Sequence, residues 1–120
     1  MARILLAEDD SAMRSFLAGA LVKRGHVVRA CEDGDTAFDA LGEESGYDLL
    51  LADIVMPGMN GIELARRAVA RHPELKTMFI TGFAAVAVDA KPRLDFQVNI
   101  VSKPVHLREV IDRIDQILAA

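Results

Sequence analysis

The sequence holds a single cysteine, Cys31, so no disulfide can close within the chain and no cysteine cage can hold zinc. That scarcity fits a reducing compartment. No apolar run reaches the roughly 18 residues that a membrane helix requires. The stretch Met1-Ala2-Arg3-Ile4-Leu5-Leu6-Ala7 is too short for a signal peptide and runs directly into acids. An excess of positive charge is lacking too: 14 lysines and arginines face 18 acids, for a formal net charge of −4. This argues against bulk nucleic-acid binding, which rests on a basic surface. Arg66, Arg67 and Arg71 form only a modest basic patch, read as solvated. His26, His72 and His106 lie far apart without metal-ligand spacing and read as structural or solvated. Repeats, low-complexity segments and linkers are also absent.

What remains is one domain of ordinary globular sequence. Its 120 residues are 52% hydrophobic and 27% charged, enough to bury about two thirds of the unfolded surface in a real core. The chain alternates short apolar runs with longer amphipathic stretches. Strands are expected over residues 4–7, 26–30, 47–52, 76–81 and 97–101. Between them, Ser11 can cap a helix that Gly25 ends, and Asp33 or Asp35 starts a second helix through Leu41. A Pro57-Gly58 turn precedes a helix from Gly61 toward Arg71. A weak Ala/Val-rich helix is expected over residues 84–90, cut short by Pro92, and a last helix follows Pro104. Cys31, after the second strand, reads as a small buried or half-buried residue. Five β-then-α units with apolar strands imply a parallel sheet covered on both faces. In such sheets the functional crevice lies at the carboxyl ends of the strands.

The residues at those ends form a chemical set. Glu8, Asp9 and Asp10 follow the first strand, Asp53 the third, Thr81 the fourth, and Ser102-Lys103-Pro104 the fifth. Carboxylates a few ångström apart repel, and one takes up a proton unless a cation is present. Oxygen ligands with a water-accessible position suit Mg²⁺, which bridges readily to a phosphate. Asp53 follows an apolar run, where a bare carboxylate is costly, and a carboxylate can act as a nucleophile toward phosphorus. Lys103 can offer a point charge to phosphate oxygens, and Thr81 a hydroxyl. Taken singly, each has a plain structural alternative: a helix N-cap for the acids, a loop cap for Asp53, a surface lysine, a strand-end threonine. Together they share one structural address.

These residues, with Met56-Pro57-Gly58-Met59-Asn60-Gly61 after Asp53, closely resemble the receiver domain of two-component response regulators. The resemblance spans the whole chain. It implies a three-layer α/β fold of the flavodoxin-like, CheY-like type, with five parallel strands in the order 2-1-3-4-5. It implies that Asp53 is the phosphoacceptor, that Asp9, Asp53 and the Val55 backbone carbonyl ligate Mg²⁺, and that Glu8 does so through water. Lys103 would contact the phosphoryl group and Thr81 would swing toward it, with Thr81, Ile100, Phe83 and Pro104 on the switch and output surface. Asp10 aligns outside the acid pair. The family usually carries Tyr or Phe three residues before the lysine, and here Ile100 stands there.

The resemblance further implies a bacterial cytoplasmic protein, phosphorylated by a histidine kinase or histidine phosphotransfer protein. With residues 1–120 read as a single receiver domain and no output domain, its output would be a protein–protein binding event. The Ala7-Glu8-Asp9-Asp10 start and the segment 79–84 are most similar to single-domain receivers that serve as adaptors of the ClpXP protease in cell-cycle control. That makes the ClpX unfoldase a candidate partner. The ending Ile117-Leu118-Ala119-Ala120 is similar to tags this protease reads, and equally to a frayed helix end. Two other readings use the same site. One is a phosphate shuttle between histidine phosphotransfer proteins. The other is a Mg²⁺-dependent phosphatase, which would need a second acid two residues after Asp53, where Val55 stands.

Overall fold

The computed structural model describes residues 1–82, 94 and 96–120. The expected helix over 84–90 and Phe83 lie outside the described residues. The elements run β1 (Arg3–Ala7), α1 (Ser11–Lys23), β2 (Val27–Cys31), α2 (Gly34–Glu43), β3 (Leu49–Ala52), α3 (Gly61–Arg71), β4 (Lys76–Thr81), β5 (Asn99–Ser102) and α4 (Leu107–Ala119). The five strands form one sheet in the order β2-β1-β3-β4-β5. Every pairing is parallel, so the fold is the doubly wound α/β type expected from the resemblance.

Alternation along the strands builds two cores, because successive side chains point to opposite faces. Leu5, Ala7, Leu50, Ala52 and Phe79 face α2 and α3, meeting Ala37, Leu41, Leu64 and Ala68. Ile4, Leu6, Leu49, Leu51, Met78 and Ile80 face α1 and α4, meeting Leu17, Leu21, Val110 and Ile114. Strands apolar on both faces cannot lie at a solvated surface, so β1 and β3 occupy the middle of the sheet with their carboxyl ends side by side. None of the described helices is long and apolar enough to cross a membrane.

The helix starts aim the loops at that edge. Asp10, not Ser11, caps α1: its carboxylate accepts from the Met13 N–H at 3.0 Å, and Ser11 is the first helical residue. Both residue types cap well, and an acid there also meets the positive end of the helix dipole. Asp33 caps α2 through the Thr36 N–H at 2.7 Å, and Asn60 caps α3 through the Glu63 N–H at 2.9 Å. The second strand lies one residue later than expected, and the fifth spans Asn99–Ser102 rather than 97–101. The Pro57-Gly58 turn is present, with Gly58 at φ +73, a conformation glycine adopts without steric cost.

Candidate functional site

Parallel pairing brings the chain's scattered polar residues to one edge. Ala7 stands beside Ala52 across β1 and β3, so the residues that follow each strand, Glu8 and Asp53, are neighbours. The Asp53 N–H donates to the Ala7 carbonyl at 3.0 Å, and the Glu8 N–H to the Cys31 carbonyl at 3.0 Å. On the other side, Thr81 stands beside Ser102, and the Lys103 N–H donates to the Thr81 carbonyl at 2.8 Å. The Lys103–Pro104 peptide is cis.

The side chains then converge. Lys103 Nζ lies 2.9 Å from Asp53 Oδ2 and 3.1 Å from Glu8 Oε1. Glu8 is 1% exposed and Asp53 7%, so the two carboxylates share one ammonium in a nearly dry setting. Glu8 is fully engaged, since its Oε2 also accepts the Asp10 N–H at 3.2 Å. Asp53 is not: its Oδ1 is buried and has no hydrogen-bond partner among the described residues. A buried, unpartnered carboxylate oxygen is costly. Asp9 is solvent-exposed, and Glu8, Asp9 and Asp53 each offer an oxygen within 4.8 Å of the others.

The electrostatics follow from burial and charge. Burial raises the Glu8 pKa; the Asp10 N–H and Lys103 pull against it, while the Asp53 charge adds to the rise. Burial pulls the Lys103 pKa down, but its hydrogen bonds to Asp53 and Glu8 outweigh that and raise it. Three carboxylates near one ammonium leave surplus negative charge, and one buried Asp53 oxygen has no partner among the described residues. This hard-oxygen set fits a divalent cation such as Mg²⁺.

The other expected site residues fall as follows. Val55 is half exposed in the loop after Asp53, and Thr81 is fully buried at the end of β4. Ile100 is half-buried opposite Phe79 and packs on the core beside Val98. Pro104 is exposed, and so is Asp10, whose carboxylate is occupied as a cap. His26, His72 and His106 form no cation site among the described residues. Cys31 is buried, and Arg66 and Arg67 pair with Glu63. A hollow of about 580 Å³ lined by His26, Tyr47, Asp48 and Lys76 opens at the opposite ends of the strands, away from Glu8, Asp9 and Asp53.

Two residues build the site through contacts that their place in the sequence does not reveal. Gly61 opens α3 so close to Asp53 that a Cβ there would fall 2.0 Å from the Asp53 carbonyl oxygen. Arg14, on α1, reaches back to the acidic loop, with Nη1 2.8 Å from the Glu8 carbonyl. Both roles depend on tertiary distance rather than on spacing.

Comparison with known proteins gives the family and the fold. The model of the response regulator receiver domain matches residues 4–115. The chain is 52% identical over 120 residues to the response regulator receiver protein CpdR of Brucella abortus (strain 2308), covering 100% of this chain and 99% of that protein. It is similar to the receiver domain of the hybrid histidine kinase CckA, with TM-score 0.84, 32% identity and coverage of 97% and 98% of the two chains. It is also similar to the response regulator protein TrrA of Thermotoga maritima, solved in complex with Mg²⁺-BeF, with TM-score 0.85, 25% identity and coverage of 98% and 99%.

Proposed function

The chain is a member of the response regulator receiver domain family, and from that membership we propose that Asp53 is the phosphoacceptor of a phosphorelay. One observation carries this reading: Asp53 is buried, its Oδ2 is held by Lys103, and its Oδ1 has no partner among the described residues. That is a nucleophilic oxygen kept free beside a ready counter-charge. In the proposed step an Asp53 oxygen attacks the phosphorus of a phosphohistidine. The phosphorus–nitrogen bond breaks, its electron pair goes to the ring nitrogen, and an acyl phosphate forms.

Asp9 and Asp53 would hold Mg²⁺ directly, with the Val55 carbonyl, and Glu8 would hold it through water. The engagement of both Glu8 oxygens supports the indirect role. When bound, the cation neutralises charge on the phosphoryl oxygens. Lys103 then exchanges carboxylate partners for a phosphoryl oxygen, acting as a point charge. Its main-chain link to Thr81 couples that movement to β4. Ile100 supplies no aromatic ring for the switch, so the response is carried by Thr81 and the surface around Ile100 and Pro104, with Phe83 assigned to it from sequence.

The donor is a histidine kinase or histidine phosphotransfer protein. We propose further that the chain works as one receiver domain, residues 1–120, whose phosphorylation state controls binding to a partner. Similarity to CpdR over nearly its full length supports this. An adaptor role in regulated proteolysis, with the ClpX unfoldase as partner, is the specific form we propose. The likeness to the receiver of a hybrid kinase supports a second reading, a phosphate shuttle.

The test is incubation with acetyl phosphate and Mg²⁺, followed by intact mass. Wild type gains one phosphoryl group and Asp53→Ala gains none; no gain by wild type ends the reading. Binding to purified ClpX, with and without phosphorylation, then separates adaptor from shuttle. Equal binding in both states ends the adaptor switch.

A further inference from the structure

The acidic loop between β1 and α1 must present Glu8 and Asp9 toward Asp53 although all three repel one another. Its conformation therefore needs an outside constraint. The backbone of Glu8 is tied on the strand side by its N–H to the Cys31 carbonyl at 3.0 Å. On the helix side, Arg14 Nη1 donates to the Glu8 carbonyl at 2.8 Å and lies 3.5 Å from the Asp9 carbonyl. Arg14 is half-buried in the second turn of α1, where its own N–H donates to the Asp10 carbonyl at 2.9 Å. One guanidinium thus spans the two consecutive carbonyls of the residues that carry the site's acids.

We propose that Arg14 is a positioning residue for the divalent-cation site, holding the Glu8–Asp9 main chain so that both side chains reach the Asp53 oxygens. This rests on the reading of Glu8, Asp9 and Asp53 as a cation site. Arg14 donates to main-chain oxygens, which stay neutral whether or not a cation is bound. Its role is therefore geometric and belongs to the shell of groups that orient ligands.

Geometry and charge predict opposite signs. As a nearby positive charge, Arg14 would repel a divalent cation, and removing it would tighten binding. As a tether, its removal lets the acids spread and weakens binding.

The experiment measures Mg²⁺ affinity by calorimetry for wild type, Arg14→Met and Arg14→Lys, with thermal melts of each. Arg14→Met keeps the aliphatic stem and loses the donors, and is expected to weaken Mg²⁺ binding about tenfold. Arg14→Lys keeps a donor and a charge and is expected to stay within about threefold of wild type, below the loss typical of a missing orienting group. Arg14→Met that folds and binds Mg²⁺ as well as or better than wild type overturns the inference. Should Arg14→Met not fold, Arg14→Lys decides alone: affinity within threefold supports the tether, and a tenfold loss overturns a role one donor can fill. Wild type that takes up no Mg²⁺ overturns the cation site itself, and this inference with it.

Discussion

Gly61→Ala tests how tightly α3 is seated on Asp53, the proposed phosphoacceptor. A Cβ at position 61 would lie 2.0 Å from the Asp53 carbonyl oxygen, 2.9 Å from its carbonyl carbon and 3.0 Å from Ile54 Cα. All three are main-chain atoms, so no side chain can swing aside. A relaxed carbon–oxygen contact needs about 3.3 Å, so the two backbones must part by more than about 1 Å. The Gly61 N–H bond to the Ile54 carbonyl, 2.8 Å long, resists that movement. Overpacking costs about 1–3 kcal/mol, and main-chain neighbours place this case at the upper end. Replacing glycine at an unstrained site gives back about 0.4–1 kcal/mol. The expected net loss is about 2 kcal/mol, which lowers Tm by about 8 °C for a domain of this size. Relief of the clash moves Asp53, and a shift of about 1 Å in a reacting group costs on the order of 10²-fold in rate. Phosphorylation by acetyl phosphate should slow accordingly. Gly19→Ala is the control: nothing lies within 4 Å of an added Cβ there, and alanine inside α1 should stabilise by about 0.5–1 kcal/mol. Gly61→Ala melting at or above wild type, with phosphorylation unchanged, would refute the contact argument.

Lys103→Met strips Glu8 and Asp53 of their shared cation. Fully enclosed pairs cost about 3–5 kcal/mol when broken; Lys103 is a quarter exposed, so about 2 kcal/mol is expected, with saturating Mg²⁺ restoring most of it in a melt. Asp10→Ala removes the α1 cap and should cost about 1 kcal/mol while leaving phosphorylation intact; loss of phosphorylation would move Asp10 into the site. His26 accepts the Ala2 N–H at Nδ1, 3.1 Å away, and burial, then the positive N-terminus, lowers its pKa. The unfolded chain therefore takes up the proton first. Stability is full above about pH 6.5 and falls as pH drops through that value toward the lower folded pKa. His26→Asn keeps an acceptor and removes the titration, so urea midpoints between about pH 7.5 and 5.5 should shift less than in wild type; an equal shift would assign it to other groups.

The strands and the edge they share were legible because bounded apolar runs have few alternatives. The runs at Ile4 and Leu49 can only be buried, and parallel strands put their carboxyl ends together. That places Glu8 beside Asp53, 45 residues apart in sequence, without any knowledge of contacts. Two kinds of detail were not legible. Boundaries slipped where neighbouring residues suit the same job: Asp10 and Ser11 both cap helices, and only the loop path decides for Asp10. Contacts set by tertiary distance left no trace either. Gly61 reads as the start of a helix, and nothing in its spacing reveals how closely it abuts Asp53. Arg14 reads as one more charge on α1 until its reach to the Glu8 carbonyl is seen.

The balance of charge at the site explains why acids can be buried there at all. Glu8 and Asp53 lie beside one ammonium, and Asp9 stands at the rim. Burial favours protonating Glu8, as its raised pKa records. Lys103 resists that by hydrogen bonding to the charged form, but one ammonium cannot satisfy three carboxylates. The surplus is visible as the Asp53 Oδ1, which has no partner among the described residues. A fold selected only for stability would fill that position with an apolar residue or a second base, since an uncompensated buried oxygen is destabilising. Keeping it is intelligible when a cation and a phosphoryl group are to occupy the site, because preorganised charge there stabilises both on binding. On this reasoning, the instability Asp53 brings to the resting protein is the driving force for loading it. Asp53→Ala should then melt higher than wild type without Mg²⁺ and gain little when Mg²⁺ is added.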